Sequence, residues 1–200
     1  QFVHYEACTT RDGIQQELAR LQTEKFLTAR QAEAVDAEKI LALFSSELGK
    51  RILNAKNLRR EFKFSILTDA AAYDPAAAGE EVLLQGVVDC FWDEPEGLVI
   101  LDFKTDRIRG DLDAKAARYA PQLQAYARAL SLIYGLSVRK CILYFFSAGK
   151  AVEIDPNNIK KPPPAALCAV RGGRFFTYVN RVRQRMCNSG SVPVWGCLSA

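Results

Sequence analysis

The spacing of apolar residues along the chain changes near residue 55, from a helical period to strict alternation. Before that point apolar positions recur three and four residues apart, which is typical of amphipathic helices. The residues at this spacing are Ile14, Leu18, Leu21, Ile40, Leu41, Phe44 and Leu48. From Leu58 to Thr68, apolar and polar residues alternate as in a half-buried strand. We therefore predict an α-helical cap over residues 1–53 and an α/β core over residues 58–154.

Local signals in the cap suggest where its three or four short helices begin and end. Thr28 is followed three residues later by Gln31, the pattern of a capping box. Asp36 is a suitable N-cap for the next helix. We expect Gly49 to interrupt or end that helix, because glycine is a poor helix former.

Two apolar runs within residues 82–106 flank a turn at residues 95–97, Pro-Glu-Gly. Runs of this length around such a turn predict an antiparallel hairpin. Each run carries one aspartate where a buried strand normally has an apolar residue, namely Asp89 and Asp102. If the turn is centred between its first two residues, these two aspartates lie opposite each other.

Opposed carboxylates on an apolar hairpin repel each other and raise the cost of ionisation. A divalent cation between Asp89 and Asp102 would remove that conflict. Because side chains alternate along a strand, Lys104 shares a face with Asp102 while Phe103 points the other way. Two carboxylates and one ammonium group are the composition of a metal-dependent site that cleaves phosphodiester bonds.

The strongest helix signal lies at residues 116–134, after a charged loop. Gln122 and Tyr126, four residues apart, share one face of this helix. An almost continuously apolar strand at residues 138–146 follows, and residues 151–154 can pair with it. The expected order is helices, three strands, a helix and two strands.

The basic residues are distributed unevenly. The chain has 27 Lys and Arg against 23 Asp and Glu, but residues 156–200 carry seven basic residues and no acidic one. The positive net charge therefore says little about nucleic-acid binding by residues 1–155. We treat residues 156–200 as a basic tail that the sequence determines poorly, either a nucleic-acid-binding arm or a weakly ordered extension. A short helix around residues 175–186 is the only regular element expected there.

Several classes of protein are disfavoured. No apolar run reaches the roughly 20 residues that cross a bilayer, and no signal peptide is evident, so we expect an intracellular protein without a membrane partner. The first residue is Gln1, which suggests a segment of a longer protein. No phosphate-binding loop occurs, because Gly49-Lys50 is followed by Arg51, so we expect no ATP site. The six cysteines contain no C-x-x-C pair, and we expect reduced thiols.

Three stretches together carry a family resemblance: GVVDCFWDEPEGLVILDFKTDR, RYAPQLQAYARAL and KCILYFF. They resemble PD-(D/E)XK nuclease domains of the RecB type, particularly the C-terminal nuclease domains of AddA-type helicase–nucleases. The resemblance covers roughly residues 1–154. It implies a restriction-endonuclease-like α/β core, a mixed central sheet flanked by helices, with the N-terminal α-helical cap. We accordingly place a nuclease domain at residues 1–155.

The resemblance also assigns roles to the hairpin. Asp89 matches the first acidic metal ligand of the family, Asp102 the second acid, and Lys104 the catalytic lysine. The backbone carbonyl of Phe103 stands where the family often supplies a metal ligand. Val88 replaces the proline of the family name, at a position that varies widely.

Further roles fall outside the hairpin. Gln122 and Tyr126 match a motif that the family places near the active site and DNA. His4 matches a histidine that RecB-type nucleases supply as an extra metal ligand. Arg107 is a weak candidate for a phosphate contact.

The resemblance implies an Mg²⁺- or Mn²⁺-dependent DNA exonuclease domain that hydrolyses phosphodiester bonds. It further implies a single-stranded DNA end as substrate, a helicase portion on polypeptide outside this chain, and an AddB-like partner. The setting would be double-strand break repair and recombination in the bacterial cytoplasm. We infer no iron–sulfur cluster, since the required cysteine set is missing. The alternative is a DNA-binding or partner-docking module without independent nuclease activity.

Overall fold

A computed structural model describes residues 2–73, 75–157 and 175–178. The described residues form two compact units, one of residues 2–62 and 88–157 and the other of residues 63–87 and 175–178. Within the described ranges, no helix combines the length and apolar character that a membrane span requires.

The first unit opens with the helical cap. A short 3-10 helix, Tyr5–Thr9, precedes four α-helices. These are α1 (Arg11–Thr23), α2 (Ala29–Glu33), α3 (Ala37–Ser45) and α4 (Glu47–Leu53). The predicted capping box of Thr28 and Gln31 is present, and the Asp36 side chain accepts a hydrogen bond from the Lys39 N–H. The four helices confirm the predicted cap.

Gly49 lies inside α4, so the expectation that it interrupts or ends a helix is wrong. The break between α3 and α4 falls at Ser46, whose extended backbone lets its hydroxyl cap the Gly49 N–H. A Cβ atom at Gly49 would lie 2.2 Å from the Leu43 carbonyl oxygen. Glycine is therefore required because two helices approach closely, a demand that no local sequence signal reveals.

Six strands form the sheet within the described residues. They are β1 (Lys56–Asp69), β2 (Glu81–Glu94), β3 (Gly97–Lys104), β4 (Val138–Phe145), β5 (Lys150–Ile154) and β6 (Phe175–Tyr178). The first five are neighbours in sequence order. β3 and β4 run parallel, whereas β2 with β3 and β4 with β5 are antiparallel. The mixed sheet is the one expected for a restriction-endonuclease-like core.

Two helices connect the parallel strands β3 and β4: α5 (Leu112–Ala117) and α6 (Ala120–Tyr134). α6 ends at Gly135 in the left-handed conformation, and a proline lies in its first turn. α5 begins inside the stretch that the sequence analysis assigned to a loop. Its start is capped by Asp111, whose side chain accepts two backbone N–H groups.

Helices cover both faces of the sheet in the first unit. Val99 and Leu101 of β3 pack in one apolar cluster with cap residues such as Ile14 and Phe44. Because side chains alternate along a strand, Asp102 and Lys104 point to the opposite face. That face is covered by α6, which contacts β3 and β4.

The second unit contains the far ends of β1 and β2 together with β6. β6 pairs antiparallel with β2, from Leu83–Tyr178 to Gly86–Phe175. Residues 175–178 are therefore a strand, and the helix expected at their position is wrong there. The backbone N–H and C=O groups of paired strands hydrogen-bond to each other. The secondary structure of this segment is therefore determined by its pairing with β2, which is distant in sequence. The rest of the tail set apart at residues 156–200 lies outside the described residues, apart from 156 and 157.

Candidate active site

The β2–β3 hairpin has the register that the turn predicted. Cα pairs run from Glu94–Gly97 at the turn to Cys90–Leu101. Asp89 and Asp102 stand one position beyond the last pair. There the Asp89 side chain, in place of the β2 backbone, accepts the Phe103 N–H at 3.0 Å. The hairpin ladder therefore ends at the position of its two carboxylates.

The Phe103 backbone faces Asp89. In a strand, the N–H and C=O of one residue point to the same side. Since the Phe103 N–H reaches Asp89, the Phe103 carbonyl oxygen is directed to that side as well. The neighbouring Lys104 carbonyl points the other way, where it accepts the Phe146 N–H. Two carboxylates and one backbone carbonyl thus lie near the end of the hairpin.

Asp102 is almost completely buried, with 2% of its surface exposed. Its Oδ2 atom lies 2.5 Å from the Lys104 ammonium nitrogen and accepts no other hydrogen bond from the described part of the chain. Burial raises the pKa of Asp102 to about 6; the Lys104 charge opposes this rise, and the charge of Asp89 adds to it. Asp102 is therefore a buried carboxylate with unused acceptor capacity.

Asp89 is half-buried, and burial likewise raises its pKa, against the opposing effects of the Phe103 hydrogen bond and the Lys104 charge. Each of the two aspartates is thus less easily ionised than a carboxylate in water. A bound cation would reverse that effect for both.

Helix α6 completes the surroundings of Lys104. The Lys104 ammonium donates to Gln122 Oε1 at 3.1 Å, and Gln122 Nε2 donates to the Tyr126 hydroxyl at 2.7 Å. Gln122 and Tyr126 are both buried, and burial raises the pKa of the Tyr126 hydroxyl. The structure therefore brings together five of the predicted site residues: Asp89, Asp102, Lys104, Gln122 and Tyr126.

His4 is placed differently. Its backbone N–H donates to Glu17 Oε1 at 2.7 Å, and its Nδ1 lies 3.4 Å from Glu17 Oε2. Arg20 also holds the buried Glu17 carboxylate, and these contacts lower the Glu17 pKa to about 2, with the Arg20 hydrogen bond as the largest cause. Among the described residues, no three His, Cys, Asp or Glu side chains are grouped to hold a metal ion. The structure thus does not bring His4 into one ligand cluster with Asp89 and Asp102.

The loop after β3 contains residues whose placement the sequence analysis missed. Asp106 accepts a short hydrogen bond from the Tyr119 hydroxyl and lies 2.8 Å from the Lys115 ammonium nitrogen. The Tyr119 ring in turn lies against Lys104. The available sequence signal was the position of Tyr119, three residues before Gln122 on the same helical face. Arg107, the weak phosphate-contact candidate, is exposed in this loop.

The cysteines in the described part of the chain are free, buried thiols: Cys8, Cys90 and Cys141. Burial raises the pKa of the Cys90 thiol to about 12. These three are therefore buried and reduced, which agrees with the expectation of reduced thiols.

Comparison with known proteins defines the class to which this fold and site belong. The sequence profile of the PD-(D/E)XK nuclease superfamily matches residues 4–190. The chain belongs to this superfamily. The match continues past residue 155 into the segment that the sequence analysis set apart as a tail.

The chain is similar to curated proteins of the AddA type, which are named as one subunit of an ATP-dependent helicase/nuclease. It is 41% identical over 148 residues to the one from Desulforudis audaxviator (strain MP104C), covering 72% of this chain and 12% of that protein. It is 36% identical over 160 residues to the one from Clostridium novyi (strain NT), covering 77% of this chain and 13% of that protein. The chain thus spans about an eighth of the length of these relatives.

Among solved structures, one titled "Crystal structure of SSO0001" aligns with 76% of this chain and 66% of its own, at 18% identity and a TM-score of 0.38. That score is too low to support an argument. The assignment of the chain rests on the superfamily profile and on the curated relatives.

PD-(D/E)XK nucleases generally use divalent metal ions, and the residues present here fit one. The buried Oδ2 atom of Asp102 has capacity beyond its ion pair with Lys104. Carboxylate and carbonyl oxygens are the ligands that hard divalent cations prefer. Asp89, Asp102 and the Phe103 carbonyl form such a set.

Proposed function

We propose that this chain is a metal-dependent DNA exonuclease domain that hydrolyses phosphodiester bonds. The observation that carries the proposal is the buried Lys104 ammonium group, held between Asp102 and Gln122 where the hairpin ladder ends beside Asp89. A buried lysine normally costs free energy unless its charge is paired. Here it is paired with Asp102 and interacts electrostatically with the half-buried Asp89, which is a suitable arrangement for stabilising negative charge on a phosphate.

Each residue of the site has a separate role in the proposed hydrolysis. Asp89, Asp102 and the Phe103 carbonyl would hold Mg²⁺ or Mn²⁺, and His4 would serve as a further ligand only after leaving its contact with Glu17. When bound, the ion polarises the scissile phosphate and lowers the pKa of water. Lys104 orients the attacking water, or offsets the charge that develops around phosphorus. Gln122, itself fixed by Tyr126, keeps the Lys104 ammonium directed at that position.

The wider assembly is part of the same proposal. The relatives are named as subunits of a helicase/nuclease and are about eight times as long as the matched segment. We infer that this domain works beside an ATP-dependent helicase portion and an AddB-like partner in the bacterial cytoplasm. Its substrate is then a single-stranded DNA end produced by unwinding at a double-strand break.

The test is cleavage of end-labelled single-stranded DNA by the purified chain with Mg²⁺, with Mn²⁺ and with EDTA. We expect cleavage with either ion, none with EDTA and none with the Asp102→Ala variant. Asp93→Ala, on the same hairpin, is the matched control and retains activity. Full activity in Asp102→Ala or in EDTA would contradict the assignment.

One observation favours the docking alternative: the contact of His4 with Glu17 leaves the described ligand set without its histidine. A module that cleaves only in the assembled complex explains this. The two alternatives are an independently active nuclease domain and a docking module that cleaves only in the complex. Measuring cleavage of single-stranded and double-stranded DNA by the isolated chain and by the complex distinguishes them. Cleavage by the complex alone, abolished by Asp102→Ala, supports the docking form; cleavage by the isolated chain excludes it.

A further inference from the structure

The Lys104 ammonium group is enclosed on three sides. A lysine has three N–H donors and no acceptor. Two contacts are polar, with Asp102 Oδ2 at 2.5 Å and Gln122 Oε1 at 3.1 Å. On a third side lies the ring of Tyr119, whose centroid is 4.2 Å from the ammonium nitrogen. The proposed mechanism uses the first two groups and leaves Tyr119 without a role.

The Tyr119 ring is anchored at its outer end. Its hydroxyl donates to Asp106 Oδ2, and the Lys115 ammonium nitrogen lies 2.8 Å from the same oxygen. The backbone of Asp106 is itself tied down, because its carbonyl accepts the Ser147 hydroxyl at 2.6 Å. The ring therefore has little freedom to turn away from Lys104.

The ionisation states favour this anchor. The Lys115 hydrogen bond, followed by the Tyr119 hydrogen bond, lowers the pKa of Asp106. Burial, followed by the Asp106 hydrogen bond, raises the pKa of the Tyr119 hydroxyl. At neutral pH the carboxylate is charged and the phenol keeps its proton, so the strong charge-assisted hydrogen bond persists.

We infer that Tyr119 is a positioning residue that fixes the Lys104 ammonium group for catalysis. The electron-rich ring face attracts a cation, and the attraction is stronger where water is excluded, as it is around Lys104. The backbone of Tyr119 is the N-cap of α6, so the ring and the Gln122 amide approach Lys104 from the same first turn. The inference rests on the proposed function, because it assumes that Lys104 acts at the phosphate.

Three variants test the inference kinetically. In Tyr119→Leu the ring is lost, and we expect kcat to fall by about tenfold, with KM for DNA little changed, since the ring acts on the lysine and not on DNA binding. Tyr119→Phe keeps the ring but not the anchor, and retains most of the activity. The matched control is Tyr134→Leu, at the other end of α6, which removes a tyrosine ring 4.9 Å from the Arg59 guanidinium and leaves kcat unchanged.

A second readout does not need nuclease activity. The chain is treated with an amine-acylating reagent, and the extent of modification at Lys104 is followed by mass spectrometry. We expect slow modification in wild type, several-fold faster modification in Tyr119→Leu, an intermediate rate in Tyr119→Phe, which keeps the ring but loses the anchor, and wild-type behaviour in Tyr134→Leu. Unchanged Lys104 labelling in Tyr119→Leu would overturn the inference even if the chain cleaved no DNA. An unchanged kcat in that variant would overturn it while leaving the nuclease assignment in place.

Discussion

Asp93 and Asp102 occupy the same hairpin, and each forms an ion pair with a basic side chain, yet their environments differ. Asp93 lies 2.9 Å from Arg59 and also accepts a hydrogen bond from Asn57 at 2.7 Å. Its pKa is lowered, chiefly by the Asn57 hydrogen bond, despite partial burial. Asp102 lies 2.5 Å from Lys104, but burial raises its pKa to about 6.

The difference separates an ion pair that stabilises its own charges from one that lies at the proposed active site. The partners of Asp93 stabilise its charge, and each of its two carboxylate oxygens accepts a hydrogen bond. Asp102 is charged at a cost, beside a second carboxylate, with an oxygen that has spare capacity. Perturbed pKa values of this kind cluster at active sites because function, and not stability, maintains them. The contrast can be tested by substituting residues of each ion pair and measuring cleavage and stability.

The largest expected effect is on cleavage. Lys104→Ala should reduce kcat by more than about a hundredfold, the scale of losing a group that stabilises charge or moves a proton in the transition state. Arg59→Ala removes the basic partner of Asp93 and should leave kcat within about twofold. The two variants are compared by single-turnover cleavage of labelled DNA, with circular dichroism to verify folding. Equal losses of kcat in the two variants would contradict the distinction between the Asp102–Lys104 and Asp93–Arg59 ion pairs.

The second effect is on stability as a function of pH. The pKa of Asp102 is raised on folding from 3.8 to about 6, so the folded state binds the proton more tightly than the unfolded state. Its favourable contribution is then present below pH 4 and is lost as the pH rises through 6, by roughly 2–3 kcal/mol in the free energy of unfolding.

Urea unfolding from pH 4 to pH 7, in EDTA, measures this loss. Asp102→Asn cannot titrate, so relative to wild type its free energy of unfolding should improve as the pH rises through this range. A difference between the two proteins that stays constant with pH would contradict the raised pKa.

The smallest effect is expected at Asp93. Asp93→Ala removes a partly exposed ion pair and should lower the free energy of unfolding by about 1 kcal/mol or less at pH 7. Because the pKa of Asp93 is lowered, its contribution is present above the unfolded pKa and lost as the pH falls, opposite in sign to that of Asp102. Urea unfolding of wild type and Asp93→Ala at pH 7 and at pH 3.5 measures the size of this effect and its dependence on pH. A larger loss of free energy of unfolding at pH 3.5 than at pH 7 would contradict the lowered pKa of Asp93.

The sequence predicted most of what local patterns control. Alternation and the turn at residues 95–97 predicted the hairpin register, and side-chain periodicity placed Gln122 and Tyr126 together on one face of α6. Two carboxylates on an apolar hairpin were conspicuous because burial makes them costly. These inferences needed only strand and helix periods.

Interactions between distant segments could not be read in this way. Gly49 is required by the Leu43 carbonyl, and residues 175–178 are a strand because β2 pairs with them. Tyr119 and Asp106 meet only after the loop and α5 have folded. The metal-ligand role of His4 stays a prediction, since the contact that the structure shows is with Glu17.

The hydrogen bond from the Phe103 amide to Asp89 gives the site a spectroscopic reporter. An amide proton exchanges with solvent only when its hydrogen bond opens, so the exchange rate at Phe103 depends on where the Asp89 carboxylate points. If Asp89 turned to coordinate a cation, as proposed, this amide would lose its acceptor while those of the Cys90–Leu101 pair would remain protected. Deuterium uptake at a single backbone position would then measure occupancy of the proposed site without substrate.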